Sequence, residues 1–238
     1  NIIFIIYFIL TKKIIYLKNL KINYFIFISF LIISLLNIYG SRFADDINHY
    51  HYGYILNTDN HNYIWGLSYL HHHYGMSSAW LIGHSYFNFD EYRLQDIHVL
   101  NGIILFLILS LFISEIIIKN KKKYSIIIFS ILIFILLKYT RLKEFGIDRP
   151  AFLLFYFLIY YYLKYFFYNK NLIKPNDFLI LILVCLLIIF IKIIFLSVLI
   201  IPLYLFIKYK KELFKIDIKY TLIFLFGLSY FLKNIVIS

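Results

Sequence analysis

Long apolar runs separated by short polar segments make up most of the hydropathy pattern of this chain. Several runs approach the roughly 20 residues that an α-helix needs to cross a hydrocarbon core about 30 Å thick. The pattern therefore predicts an all-α polytopic membrane protein, a single transmembrane domain with a long first extracytoplasmic loop. The predicted spans are approximately 1–10 (partial), 22–39, 99–118, 124–139, 151–167, 178–191, 194–207 and 220–237.

The apolar segment 178–207 is interrupted by Lys192 and allows two interpretations. It can form two short helices that meet near Lys192, or one long tilted helix. The two-helix interpretation is favoured because it places the lysine-rich loops on one side of the predicted membrane, which must be the cytoplasm. These loops are 11–21, 119–123, 168–177 and 208–219. The other loops, 40–98 and 140–150, are then extracytoplasmic.

The composition narrows the possible classes of protein. Hydrophobic residues make up 63% of the chain, and the formal net charge is +12. The high content of Tyr, Phe, Ile, Asn and Lys is typical of A/T-rich codon usage, so we do not expect a nucleic-acid partner. The one cysteine, Cys185, allows no internal disulfide and is predicted to be a buried, inert thiol. The chain starts without methionine and ends close to an apolar run, so we expect a fragment of a longer protein.

Arginine, unlike lysine, is confined to the two predicted outer loops. Its planar guanidinium suits phosphate and carboxylate groups, so the outer face is predicted to hold an anion. Ordinary ion pairing with carboxylates of the same loops is the alternative. The four arginines are Arg42, Arg93, Arg141 and Arg149.

Two adjacent carboxylates, Asp45 and Asp46, closely follow the first complete span. They suit a base that deprotonates an acceptor hydroxyl, or ligands for a hard cation such as Mg²⁺ or Mn²⁺. The sequence requires no cofactor. The structural alternative for these two residues is a helix N-cap with a solvated neighbour.

All eight histidines lie in the polar interval 41–98. His49 and His51 share a face only in a strand, and three successive histidines in a helix point about 100° apart, so a shared metal ion is not predicted. A wet, aromatic surface at lipid headgroups, with Tyr and Trp in the interfacial belt, explains most of them. His72 or His73 could still contact a phosphate.

The hairpin 140–150 carries Glu144 and Asp148, either of which could supply a second carboxylate facing the polar interval. A charged turn at the membrane boundary is the alternative. Lys192 lies between two apolar segments, where an unpaired charge would cost several kcal/mol. We therefore expect Lys192 to reach water or to pair with an anion.

An acidic start to the first outer loop, a second acidic hairpin and a lysine at a helix break occur together in this chain. They accompany the segments DDINHYHYG, GLSYLHHHYGMSSAW, HVLNG, KEFGIDRPA and LKNIVIS. This combination resembles the GT-C-fold membrane glycosyltransferases, and more narrowly an uncharacterised bacterial multi-pass family related to them. The resemblance covers roughly 41–238. It implies a GT-C-like helical bundle in the bacterial inner membrane and a polyprenyl-phosphate-linked sugar as donor.

The resemblance implies that carboxylates of the outer loops carry the chemistry. In such enzymes an acid of the first outer loop acts as base or helps to position a metal, and it corresponds to Asp45 or Asp46. A second acid corresponds by placement to Glu144 or Asp148. The implied reaction is transfer of a sugar, with inversion, to a hydroxyl of a glycan or lipid acceptor.

The resemblance also implies that basic side chains hold the phosphate of the donor. Lys192 corresponds to the principal one, with Arg93 and Arg141 as further candidates. Lys233 and Asn234 lie where related proteins carry a basic residue followed by asparagine. The implied partners are a lipid bilayer, the lipid-linked sugar and its acceptor.

Two alternatives remain open. An O-antigen polymerase or ligase also acts on lipid-linked sugars through outer loops rich in Arg and His. A transporter or non-catalytic membrane scaffold would carry facing polar residues at mid-membrane or inverted repeats. The predicted spans offer neither of these features, apart from the single polar positions Glu115 and Lys192.

Overall fold

The computed structural model describes the chain as a series of helical segments. The described residues are 24–39, 51–61, 69, 78–86, 98–119, 122–138, 146–167, 175–209, 222–223, 225–230 and 232. Their α-helices are α1 (Tyr24–Tyr39), α2 (Tyr52–His61), α3 (Ala79–Ser85), α4 (Val99–Lys119), α5 (Lys122–Leu137), α6 (Asp148–Tyr162), α7 (Pro175–Ile191) and α8 (Ile200–Lys208). A π-helical turn, Leu163–Phe167, extends α6, and a 3₁₀-helix, Ile193–Leu199, precedes α8.

Within these residues no helix is both long enough and apolar enough to cross a membrane, so the predicted polytopic membrane protein is wrong. α1 and α5 have 16 residues, α6 has 15 and α7 has 17, fewer than the roughly 20 that a span needs. The 21-residue α4 is continuous, and its polar residues Asn101 and Glu115 form hydrogen bonds with other side chains. The same finding contradicts three further predictions. They are the GT-C-like transmembrane bundle, the inner-membrane location and the extracytoplasmic position of loops 40–98 and 140–150.

α7 lies at the centre of the fold. Leu181, Cys185 and Ile188 have no exposed surface, as expected for a helix that is apolar on all sides. α7 packs against α6. Phe112 of α4 meets Tyr160 of α6 edge to face, with ring centroids 5.4 Å apart. The helices α4, α6 and α7 therefore share one core.

α1 lies against α4 through small and polar residues. Ser34 and Asn37 of α1 are buried. A Cβ added at Gly102 of α4 would lie 2.5 Å from the side chain of Ile38 and 3.3 Å from the carbonyl oxygen of Ser34. Glycine at this position therefore allows the two helices to approach each other closely.

Large apolar side chains also lie at the surface of several helices. Leu35 and Leu36 of α1 are more than half exposed, as are Leu203 and Ile207 of α8. The other faces of these helices contribute to the interior, where Leu205 of α8 is buried. The apolar residues of the described helices are thus divided between a shared core and exposed apolar faces.

A buried ion pair joins the end of α6 to α4. Lys164, in the π-helical turn, donates to Glu115 of α4 over 2.5 Å, and the two side chains are only 2% and 12% exposed. The ammonium also lies over the rings of Tyr160 and Tyr165, at 5.3 Å and 4.9 Å from their centroids. A charge at this depth needs such partners because burial removes its hydration. The pair therefore holds the π-helical turn that follows α6 against α4.

We expect Glu115→Leu to lower the free energy of unfolding by about 3–5 kcal/mol, because it leaves the buried ammonium of Lys164 without its carboxylate. Adding Lys164→Met removes the second charge as well and should recover most of the loss. Denaturant unfolding of both variants and of the unmodified chain measures the effect. A double variant as unstable as Glu115→Leu would contradict this explanation.

Candidate functional site

The candidate site is built around the end of α7. The helix ends at Ile191, and Lys192 has extended backbone angles of φ −150° and ψ 113°. A break after Ile191 agrees with the two-helix interpretation of the sequence, although the segment that follows begins as a 3₁₀-helix. The last carbonyl groups of an α-helix have no partner within the helix. The carbonyl groups at this break must therefore accept hydrogen bonds from donors elsewhere in the protein.

Side chains from distant parts of the chain supply those partners. The hydroxyl of Ser78 donates to the carbonyl of Ile191 over 2.6 Å, and the hydroxyl of Tyr230 donates to that of Phe190 over 2.7 Å. The ring of Tyr230 also stacks on Phe190, with centroids 4.0 Å apart. The carbonyl of Lys192 itself accepts from the amide of Phe195 over 3.1 Å. The helix end is therefore specifically capped.

The ammonium of Lys192 donates to the carboxylate of Asp148, the first residue of α6. The N-terminus of a helix favours negative charge and the C-terminus favours positive charge. Asp148 lies at the N-terminus of α6, and Lys192 lies just beyond the C-terminus of α7. The helix dipoles of α6 and α7 therefore favour both members of the pair, and the two helices pack with these ends together.

This pair remains open to solvent. The side chain of Lys192 is 32% exposed and that of Asp148 is 48% exposed. The lysine thus satisfies both conditions that the sequence set for it, contact with water and an anionic partner. Water can therefore reach both members of the pair.

A buried polar cluster lies behind the helix end and fixes Ser78. Ser78 is the N-cap of α3, where its hydroxyl accepts from the amide of Trp80 over 3.2 Å. The indole Nε1 of Trp80 donates to the side-chain oxygen of Asn101 over 2.9 Å. The edge of the Trp80 ring system meets His84, with centroids 5.6 Å apart. These contacts join α3, α4 and the end of α7.

Burial in this region contradicts part of the prediction that the histidines and aromatic residues of the interval 41–98 lie on a wet surface at lipid headgroups. Trp80 and His84 are fully buried, and His51 is 4% exposed, so these side chains do not form a headgroup belt. Trp80 can be buried because Asn101 accepts its N–H. The thiol of Cys185 is buried, as predicted, and burial raises its pKa to about 12.

Of the predicted site residues, the structure describes Asp148 and Lys192 and brings them into contact. The others lie outside the described residues: Asp45, Asp46, His72, His73, Arg93, Arg141, Glu144, Lys233 and Asn234. Among the described residues, no group of three or more His, Cys, Asp or Glu side chains could hold a metal ion. The predicted role for Mg²⁺ or Mn²⁺ therefore has no site in this part of the chain.

Sequence reasoning missed the residues that support the pair. Ser78 and Asn101 are ordinary polar residues in sequence, and their roles depend on contacts with Ile191 and Trp80. One local signal was available, because serine just before an apolar helical segment is a favoured N-cap. No local signal indicates that the same hydroxyl reaches a carbonyl 113 residues away.

Comparison with known proteins identifies a family for this chain. A family model described as a domain of unknown function (DUF8201) matches residues 1–238. The chain belongs to DUF8201. No curated protein and no solved structure matches it. Because the description of DUF8201 names no activity, the resemblance to GT-C glycosyltransferases and the residue roles that it implies stay predictions.

For this DUF8201 chain we expect Ser78→Ala to lower the free energy of unfolding by about 1–2 kcal/mol. The change removes an N-cap and a buried donor to the carbonyl of Ile191. Ser130→Ala is a matched control, because Ser130 is exposed and its hydroxyl bonds only locally, to Ile126. Urea unfolding compares the two variants. Equal losses would argue against a special role for Ser78.

A pH dependence is expected from His98, which lies just before α4 and has no exposed surface. Desolvation lowers the pKa of this imidazole from 6.5 to about 4. Between pH 6.5 and pH 4 the unfolded chain binds a proton that the folded chain does not, so the contribution of His98 to stability falls as the pH falls through this window.

We expect unfolding measured at pH 7.5 and pH 5 to differ less in His98→Phe than in the unmodified chain. Phenylalanine keeps an aromatic ring at the site but cannot bind the proton. Other titrating groups contribute equally to both proteins, so the difference between the two pH profiles isolates His98. Superimposable profiles would contradict the assignment.

Proposed function

We propose that this protein is a glycosyltransferase that transfers a sugar from a polyprenyl-phosphate donor to an acceptor hydroxyl at the Asp148–Lys192 pair. The observation that carries the proposal is the contact between an acidic and a basic side chain at two facing helix ends. The carboxylate can accept a proton, and the ammonium can hold a phosphate. These are the two tasks that sugar transfer from a phosphate-linked donor requires.

The reaction divides between the two residues. Asp148 takes the proton of the acceptor hydroxyl, and the oxygen forms a bond to the anomeric carbon of the sugar. The bond between that carbon and the phosphate oxygen breaks, and its electron pair leaves on the polyprenyl phosphate. Lys192 stabilises the charge on this leaving group. Attack from the side opposite the phosphate inverts the anomeric configuration, so Asp148 and Lys192 must separate to act on opposite faces of the sugar.

The modest strength of the ion pair suits this exchange of partners. Exposed pairs of this kind contribute about 0–1 kcal/mol, and the two side chains are 32% and 48% exposed. A phosphate group can therefore replace the carboxylate on Lys192 at small cost. Release of Asp148 by the donor leaves its carboxylate available to the acceptor hydroxyl.

Support also comes from the sequence resemblance, which implies that Lys192 holds the phosphate and that Glu144 or Asp148 is the second acid. The resemblance also offers Asp45 or Asp46 as the base. The roles can be separated by experiment, because a residue that holds the donor affects its binding and a base affects mainly the transfer step.

We expect Lys192→Met to weaken binding of a polyprenyl phosphate by about 10-fold or more, because a charge-assisted hydrogen bond is lost. Asp148→Asn should retain binding but slow transfer of a labelled sugar by about 100-fold or more. Binding is measured on the full chain in detergent, with and without the sugar on the lipid. Transfer is followed by the loss of label from the donor.

Lys208→Met is the matched control, because Lys208 also ends a helix but lies over the rings of Tyr204 and Tyr209. It should bind the donor as the unmodified chain does. The paired change of Asp45→Asn and Asp46→Asn tests the other candidate base. A folded, unmodified chain that does not bind the lipid would rule out the proposed function.

A further inference from the structure

A cavity of about 230 Å³ lies between the end of α5 and the start of α6. Its polar lining consists of Lys138, Arg149 and Tyr156, and its apolar lining includes Phe134, Phe152 and Leu153. The cavity is distinct from the Asp148–Lys192 contact, although Arg149 is the chain neighbour of Asp148. Binding of a ligand in this cavity does not depend on the proposed function.

Helical spacing explains how the lining residues come together. Arg149, Phe152 and Tyr156 are separated by three and four positions, so they follow one face of α6. Phe134 and Lys138 are separated by four positions at the end of α5. Both cations therefore come from the adjoining ends of the two helices, and the aromatic rings extend from them along the helices.

The two cations, Lys138 and Arg149, indicate the chemistry of the charged part of a ligand. Arginine offers a planar fork of donors that suits phosphate, and lysine adds a point charge. Arg149 also lies in the first turn of α6, where the helix dipole favours an anion. Two positive charges beside a helix N-terminus are best matched by a group with two negative charges, such as a phosphate monoester.

The rings define the other half. Phe134 and Tyr156 lie 4.8 Å apart between centroids, and Phe152 meets Phe195 edge to face at 5.5 Å. Phe134 is 38% exposed and Phe152 is 43% exposed, so both rings can be reached from outside the protein. Aromatic walls of this kind favour a flat aromatic body, which can stack offset or edge on.

Polar groups inside the cavity are too few for a sugar. The hydroxyl of Tyr156 is the one uncharged side-chain polar group among the lining residues, and burial raises its pKa, so it remains a donor. Sugar hydroxyls set against Phe and Leu would lose their hydrogen bonds to water. The volume of about 230 Å³ is below the roughly 300–1,000 Å³ of pockets for drug-sized ligands, which limits the ligand to about one ring.

We propose that this cavity is a binding site for a small aryl phosphate, held by Arg149 and Lys138 through the phosphate and by Phe134, Phe152 and Tyr156 through the ring.

Phenyl phosphate is the probe that tests the site, with binding to the full chain measured by calorimetry. Inorganic phosphate tests the anion alone, phenol tests the ring alone, and isopentyl phosphate replaces the ring by a branched chain. We expect phenyl phosphate to bind at least about 10-fold more tightly than each of the others, since each lacks a charged or aromatic contact.

Two variants test the assignment to individual residues. Arg149→Met should weaken phenyl phosphate binding by about 10-fold or more. Phe152→Leu keeps an apolar side chain but loses the ring, so it should weaken binding of phenyl phosphate and leave that of isopentyl phosphate unchanged. Unfolding curves of both variants establish that they are folded. Lys208→Met is the matched charge control and should bind as the unmodified chain does.

Three results would overturn the proposal. The first is no binding of phenyl phosphate by the unmodified, folded chain. The second is equal binding of phenyl phosphate and inorganic phosphate, which would mean that an anion alone is held. The third is binding that survives Arg149→Met but is lost in Lys192→Met, which would place the ligand at the Asp148–Lys192 pair instead.

Discussion

The end of α7 imposes the constraint on which the rest of the described structure depends. A helix that stops inside the protein leaves carbonyl groups that must find donors or lose free energy. Ser78 and Tyr230 provide those donors to Ile191 and Phe190. Two segments far apart in the chain are thereby tied to one point of the central helix. Their positions follow from the need to satisfy it.

Two ion pairs of lysine in the described part of the chain illustrate different uses of charge in an apolar protein. Lys164 and Glu115 are almost fully buried, and the rings of two tyrosines surround the ammonium, so the pair holds helices together and is closed to ligands. Lys192 and Asp148 are partly exposed and lie at helix ends. Because that pair is weak and accessible, it is the one that we propose to exchange partners with a substrate.

The region from Lys138 to Lys192 concentrates the chemistry that the described residues offer. Asp148 begins α6 and meets Lys192, while the next residue, Arg149, lines a cavity with aromatic walls. The N-terminus of α6 therefore contributes residues to both the Asp148–Lys192 pair and the cavity. The membership of the chain in DUF8201 gives no activity to either of them.

Sequence alone determined where most helices lie and where the central one ends. The apolar run 99–118 corresponds to α4 and the run 22–39 to α1, because apolar runs of this length are longer than a typical strand. The break at Lys192 could be predicted because a charge between apolar segments needs water or an anion. The inference from these runs to membrane spans was wrong, since hydropathy does not show which side chains pair inside the protein.

Only the tertiary structure decided which residues meet. Asp148 and Lys192 are 44 residues apart, and the sequence did not indicate which anion the lysine would meet. The choice follows from the packing of α6 against α7, which places opposite ends of two helix dipoles together. The burial of Trp80 and the capping by Ser78 likewise depend on contacts between distant segments. Local sequence patterns carry no information about such contacts, because they are set by how the helices pack.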